Sequence, residues 1–378
     1  MRLAIDARIL YYPKCGIGNY VFNLVKNILI LDDSIEIYLF LDNPIHPQYQ
    51  LPDNPRLKKI IFASSHREKK RWIQKYLPIK LKECKIDIYH ATWNWGIPFF
   101  KNCPTILTIH DLAPWILGGH FKNKRKEIRY KLRHFISAHL ADLIVTDSFT
   151  SKEDIIRLLK IKDKKIKVVY LGVDEEFNQE INLLKQTEIL LKYNLREKKY
   201  LIDPVGIEHP RRNPLVVLEG CYDILKRTNF KLVYTGSFYK ESDEYKKLNQ
   251  RIKELMLEDK VLITGWLFTE ELSVLIRSAK IAIIPSLYEG FGLTILECFS
   301  CRVPVVASDI KTIHEIAKDA VVFFNPYDYT DLLTKLMKLL EDNNSQLTLI
   351  DKGIERLKYF SWQKTAEEML QIYKNLLQ

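Results

Sequence analysis

Ile281-Ala-Ile-Ile-Pro-Ser-Leu-Tyr-Glu-Gly-Phe-Gly-Leu-Thr-Ile-Leu-Glu297 is the stretch on which the fold turns. Its first five residues form a short apolar run, the pattern of a strand buried on both faces. A loop with Gly290 and Gly292 follows, and a helix is predicted to begin near Leu293. Strand, glycine loop and helix in that order make the unit of a doubly wound parallel sheet. Glycines let the backbone approach a ligand, and the free N–H groups of a helix start favour an anion. Glu289 stands in the loop and Glu297 about one turn into the helix. Carboxylates so placed suit the hydroxyls of a sugar or ribose. Acidic residues near a helix start also favour its dipole, so the segment alone leaves both readings open.

The unit repeats outward in both directions. Around it, Leu201–Val205, Lys231–Thr235, Val261–Thr264, Val303–Ala307 and Ala320–Phe324 read as strands, with Leu215–Lys226 and Glu270–Ser278 as the clearest helices. The N-terminal half has its own set: Leu3–Ala7, Ile35–Leu41, Ile86–Tyr89, Thr105–Ile109, Leu143–Thr146 and Lys167–Tyr170. A turn at Gly16–Asn19 leads into a helix over Tyr20–Leu31. Strand–helix alternation predicts the α/β class, with two Rossmann-like doubly wound domains. The predicted boundary lies near Gly172–Gln179, giving domains 1–172 and 173–362. Ligands of such sheets bind beyond the carboxyl ends of the strands, so the loops there are the places to look for chemistry.

A chain of 378 residues also calls for two domains, and 47% hydrophobic with 28% charged residues is a globular balance rather than a disordered one. Asp6 interrupts the apolar start that a signal peptide needs, and no apolar run approaches a membrane span, so the expected location is the cytoplasm. Six scattered cysteines do not form a disulfide framework. Cys298 and Cys301 lack further ligands at zinc spacing and read as buried thiols, so no metal is expected. The net charge of +11 suits phosphate in nucleic acid, lipid headgroups or nucleotide sugars without choosing among them.

Several strand-end groups are candidates. Gly206-Ile-Glu-His-Pro-Arg-Arg-Asn213 offers Arg211 and Arg212 beside a turn, where they can grip a diphosphate; a solvated basic turn is the alternative. Gly16 and Gly18 open a possible dinucleotide loop with Asp42 as ribose partner, but Val21 replaces the third glycine, and a tight strand–helix turn reads equally well. His110, with Asp111 behind it, ends a strand. His90 ends another, and Ala91-Thr-Trp-Asn-Trp-Gly96 follows it. Trp93 and Trp95 suit the stacking of sugar rings, which makes them and His90 acceptor-site candidates; core packing is the alternative for both tryptophans. Two basic, aromatic stretches, His66–Lys82 and Phe121–Arg133, suit an anionic membrane surface or a solvated helix face.

Glu289-Gly-Phe-Gly-x-x-x-x-Glu297 resembles the signature of the retaining glycosyltransferases usually called family 4, which have the GT-B fold. Other segments share the likeness: Pro304-Val-Val-Ala-Ser-Asp309 with Glu315, Phe360-Ser-Trp362 before a last helix, Leu171-Gly-Val-Asp174, Gly16-Ile-Gly-Asn-Tyr20 and His110-Asp111. The likeness spans most of the chain and is densest from Val261 to Pro326. It implies a GT-B architecture whose domains face each other across a cleft. The first would bind the acceptor and the second the nucleotide-sugar donor, with the helix near 363–377 returning to the first. It implies that Glu297 holds the donor ribose. Glu289 orients the donor sugar, with Gly290, Phe291, Gly292 and Leu293 beside it. Arg212, with Arg211, stabilises the leaving diphosphate near Gly206. Gly16 and Gly18 border the donor and Asn19 the acceptor, while His110 faces the transferred sugar. Retention at the anomeric carbon, with neither cofactor nor metal, follows from the same likeness.

The implied activity is hexosyl transfer to a glycan or lipid-linked acceptor in surface polysaccharide synthesis. Ile5-Asp-Ala-Arg8 and Pro210-Arg-Arg-Asn213 resemble the mannosyltransferase branch, hence GDP-mannose. The sequence departs from the family at Arg302 (usually glycine), Thr294 (often proline), Asp203 in an apolar strand, and Arg212 for lysine. A nucleotide-sugar 2-epimerase shares the two-domain plan but not the paired-glutamate loop. A nucleic-acid binder fits the charge but shows no motif, so no nucleic-acid partner is expected. A nicotinamide-dependent dehydrogenase would need the complete glycine fingerprint.

Overall fold

The computed structural model describes residues 1–62, 72–118, 121, 123–236, 238 and 240–378. The chain divides into two compact units, Met1–Gly172 with Phe360–Gln378, and Val173–Tyr359. Each is a parallel sheet with helices between its strands, so the α/β, doubly wound fold class is observed.

The first unit contains β1 (Arg2–Asp6), β2 (Glu36–Leu41), β3 (Leu57–Ile61), β4 (Ile88–Ala91), β5 (Thr105–Thr108), β6 (Leu143–Thr146) and β7 (Ile166–Val168). Their order across the sheet is β3-β2-β1-β4-β5-β6-β7. The interior strands β1, β4 and β5 are buried almost throughout, as strands covered on both faces are, although β4 carries His90 and β5 two threonines. β3 was not anticipated: Leu-Lys-Lys-Ile-Ile mixes lysines with apolar residues, as a half-exposed edge strand does. The predicted turn at Gly16–Asn19 is instead the first turn of the helix Gly16–Leu31.

The second unit contains β8 (Tyr200–Asp203), β9 (Lys231–Tyr234), β10 (Val261–Ile263), β11 (Ile281–Ile284), β12 (Val305–Ser308) and β13 (Val322–Phe324), ordered β10-β9-β8-β11-β12-β13. In both units the winding reverses beside the unit's first strand, between β1 and β4 and between β8 and β11. Loops leaving the two strands at such a point diverge and open a crevice.

The last helix, Trp362–Leu377, packs on Gly16–Leu31 within the first unit. Ser361 caps its start, and Thr365 donates a hydrogen bond to the Tyr170 carbonyl at 2.7 Å. Gly172 marks the docking point. A β-carbon there would lie 2.1 Å from the Trp362 nitrogen, so backbone crowding requires glycine.

Candidate active site

The crevice between β8 and β11 gathers Arg211, Arg212 and Glu289 of the second unit. After β8 the chain turns at Gly206, whose φ of +92° suits glycine alone. Gly236, past β9, has φ +96°, and a β-carbon on it would come within 2.9 Å of the Gly206 Cα. These two loops therefore pack backbone to backbone. Pro210–Arg212 form a 3₁₀ turn, and Asn213 ends it in the left-handed region, donating to the Pro326 carbonyl at 2.7 Å.

The loop after β11 is tied to this turn, with Leu287 N–H donating to the Arg211 carbonyl at 2.8 Å. Arg212 Nη1 reaches Glu289 Oε1 at 2.6 Å, and Arg211 Nη1 lies 3.9 Å from Oε2. Ser286 donates to Glu289 Oε1 at 2.7 Å, and the Thr312 hydroxyl holds the Glu289 carbonyl at 2.8 Å. Gly290 and Phe291 are buried beside it. Gly292 caps the helix Leu293–Ser300 with φ +100°, which gives that glycine its reason. Three expected residues, Arg211, Arg212 and Glu289, thus meet within one unit; Ser286 and Thr312 were missed.

Two acids here bind protons unusually tightly. Burial pushes the Asp203 carboxyl up to about 8, against the pull of the Val205 N–H and the Arg212 charge. Its Oδ1 accepts from Val205 N–H at 3.0 Å, while Oδ2 is buried without a partner. Burial and then the Asp174 charge push Glu297 up to about 8, with Arg212 opposing. Arg302, where the likeness predicts glycine, has φ +54° and is exposed. The preference for glycine there is thus a matter of left-handed backbone after a helix.

The first unit's crevice differs. His110 Nδ1 lies 2.7 Å from Asp147 Oδ2, and Nε2 lies 3.1 Å from the Thr92 carbonyl oxygen. Tyr20 meets the ring edge-on at 5.1 Å between centroids. Burial opposes charge on His110, but Asp147 outweighs it and the imidazole is raised above its usual value. Asn94 accepts from His110 N–H at 2.9 Å and donates to the Asp111 carbonyl. Asp147 was overlooked although it follows β6, the same strand-end position that marked His110.

His90 is not an acceptor-facing residue. It is fully buried, with Nδ1 2.7 Å from the Tyr373 hydroxyl and Nε2 2.7 Å from the Thr108 hydroxyl. Burial holds it near 3, so it is neutral. It sits within β4 rather than past its end, and its polar atoms clasp the last helix. Trp93 and Trp95 are half-buried, and the guanidinium groups of Arg8 and Arg133 lie 5.9 and 5.4 Å from the Trp95 ring. Arg8 is also held bidentately by Asp6 at 2.8 and 2.6 Å, which gives the Ile5–Arg8 motif its structural basis. Gly18 is glycine because the Tyr49 ring covers it; a β-carbon would fall 2.0 Å from the Tyr49 oxygen. Gly16 is exposed, and the Asn19 side-chain oxygen is buried without a partner.

Family models match both units. Residues 15–177 match "Glycosyltransferase Family 4", and residues 185–356 match "Glycosyl transferases group 1". The chain is a glycosyltransferase, with one glycosyltransferase domain matched in each unit. The O-antigen chain mannosyltransferase B of Escherichia coli is 27% identical, with both chains covered in full. Among solved structures, the glycosyltransferase matches the sucrose-phosphate synthase of Thermosynechococcus elongatus with a TM-score of 0.81 at 18% identity, covering 99% of this chain and 98% of that one. Anabaena HepE, in complex with UDP-glucose, matches with a TM-score of 0.78 at 16% identity over 99% of each chain. These likenesses show the GT-B type of fold. Among the described residues no cluster of three or more His, Cys, Asp or Glu could hold a metal ion, and no helix is long and apolar enough to cross a membrane.

Proposed function

We propose that this glycosyltransferase moves a hexose, with retention, from a nucleotide sugar to a glycan or lipid-linked acceptor in surface polysaccharide synthesis. The observation that carries the reading is the meeting of Arg211, Arg212 and Glu289 at the β8/β11 crevice. Two guanidinium groups suit the diphosphate that gains charge as it leaves. Glu289 accepts hydrogen bonds from the sugar hydroxyls, and Glu297, raised in pKa, bonds the ribose. Gly206, Gly292 and Leu293 shape the loop ends against the donor. His110 serves the transferred sugar, and Asn19, Trp93 and Trp95 the acceptor.

GDP-mannose is the donor we favour, on the sequence likeness to the E. coli mannosyltransferase. Transfer proceeds without a divalent metal, because the arginines supply the positive charge at the diphosphate. Melting temperatures measured with GDP, UDP, ADP and their sugars test the donor: a ligand bound only by the folded state raises the transition. GDP and GDP-mannose are expected to raise it most. Stabilisation by UDP compounds alone would replace the donor, and no shift with any nucleotide at millimolar concentration would remove the reading. Undiminished transfer in excess EDTA is expected as well; its loss would restore a metal.

The helix Lys124–Leu140 supports a contact with anionic membrane. Ile128 and Leu132, one turn apart, are 65% and 54% exposed, and Phe135 continues their stripe. Lys124, Arg125, Lys126, Arg129 and Arg133 flank it. Apolar residues bordered by cations fit a headgroup layer. Of the other basic stretch, 66–71 lie outside the described residues, as does Lys122. Co-sedimentation with anionic but not neutral vesicles is expected; equal binding to both would sink the contact.

A further inference from the structure

The surroundings of His110 constrain its protons. Nδ1 faces a carboxylate oxygen of Asp147 at 2.7 Å, and Nε2 faces the Thr92 carbonyl at 3.1 Å. Neither a carbonyl nor a carboxylate can donate, so the ring satisfies both neighbours by donating from both nitrogens. A protonated Asp147 would relieve Nδ1 of its proton but leave Nε2 still bound to donate. In either arrangement Nε2 carries hydrogen and has no lone pair for catalysis.

The neighbouring groups favour the doubly protonated ring. Asp147 approaches from the end of β6 and is buried, with Oδ1 lacking any partner; burial raises its carboxyl, and the charge and hydrogen bond of His110 pull it back down. Asp111, next in the chain, adds negative charge nearby. His90 on β4 stays neutral because of burial, and burial likewise keeps the Tyr20 phenol protonated. Asp147 is therefore the one group hydrogen-bonded to the ring that can balance a charge on it. A lone buried carboxylate would be costly, and an imidazolium beside it offsets that cost.

We infer that Asp147 is a positioning residue that keeps His110 protonated at both ring nitrogens, so that His110 meets the transferred sugar as a fixed positive charge and not as a base. The sugar-facing part rests on the function proposed above; the protonation does not. The sequence signal is Thr146-Asp147 at a strand end, one strand over from His110.

The test pairs ring protonation with kinetics. Nitrogen NMR of the full chain labelled at histidine should show both His110 nitrogens protonated at pH 7 without ligand. In Asp147→Asn, the carboxamide donates to Nδ1, so the ring keeps its place and its Nε2 hydrogen but becomes neutral. This variant should keep donor KM within about twofold while kcat falls about tenfold to a hundredfold, the worth of a unit charge a few ångströms from the reacting centre in a partly buried site. Its kcat should recover as the pH falls toward 5.5 and the imidazole regains its proton, a rescue that a purely structural role would not give. An unprotonated ring nitrogen in the wild type at pH 7 overturns the inference, and that measurement decides even if the variant fails to fold. Wild-type kcat in a variant with a neutral ring overturns it too. Unchanged kcat in His110→Ala would instead remove the sugar-facing role proposed above, leaving the ring's protonation to stand on its own measurement.

Discussion

The two crevices, β8/β11 in the second unit and β1/β4 in the first, arise from the same reversal of winding but are furnished differently. In the second, charged side chains converge and pair with one another: Arg212 and Glu289 keep 24% and 12% of their side-chain surface open and lie 2.6 Å apart. In the first, the polar groups are mostly buried and matched to neighbours, and one of its two histidines only fastens a helix. An identical topology therefore yields a charged, exchangeable site in one case and a braced one in the other. What separates them is burial: His90, His110 and Asp147 are enclosed by neighbours in their own unit, whereas Arg212 and Glu289 keep part of their surface open.

Substitutions at the second crevice should have the largest effects. Glu289→Ala is expected to lower transfer on the order of a hundredfold to a thousandfold, as loss of a group acting at the reacting centre does. Turnover at the wild-type rate by a folded variant would erase the contrast between the crevices. Arg212→Ala should weaken nucleoside diphosphate binding about tenfold to a hundredfold, read by calorimetry. Glu289→Gln should leave that affinity equal or tighter, since Glu289 holds Arg212 when no donor is present. Weakening by both variants alike would mean that the ion pair assembles the site instead of occupying it.

The next effect concerns stability. Asp203 titrates near 8 in the folded protein, against about 4 unfolded. Between those values the unfolded chain has lost its proton and the folded chain keeps it. Stability therefore falls as pH rises from about 4 to 8 and then levels. Asp203→Asn should remove this component and gain on the order of 2 kcal/mol at pH 8, seen as a flatter melting profile of the second unit. A variant as pH-sensitive as the wild type would show that Asp203 is ionised at no such cost. Smallest, Tyr373→Phe should cost about 1 kcal/mol by stranding His90 Nδ1. It should leave nucleotide affinity unchanged; a loss of donor binding would give the first crevice a role that its buried bonds do not suggest.

Much of the fold was legible because buried parallel strands are short apolar runs, as at Ile281–Ile284 and Val305–Ser308. β3 was not, because its lysines mark a strand covered on one side only. The charged cluster could be read from glycine spacing and paired acids. His90 could not be placed, since one residue of register decides whether a side chain points into the core or leaves the strand. Asp147 and Thr312 act through contacts with residues 37 and 23 positions away, and Ser286, only three residues from Glu289, has nothing in its local spacing that marks its hydroxyl as a partner. Gly172 looked like part of a link between domains, and its cause is the backbone of Trp362 lying against it.

The clasp between His90 and Tyr373 joins residues 283 positions apart. A ribosome adding roughly 5–20 residues per second needs some tens of seconds to cover that distance. Throughout that interval the helix Gly16–Leu31 waits with the face meant for Trp362–Leu377 uncovered, while all of the intervening second unit is being made. The first part of the chain to be synthesised is thus the last to be finished, and a nascent chain halted before residue 362 would hold an incomplete first unit beside a second whose residues are all in place.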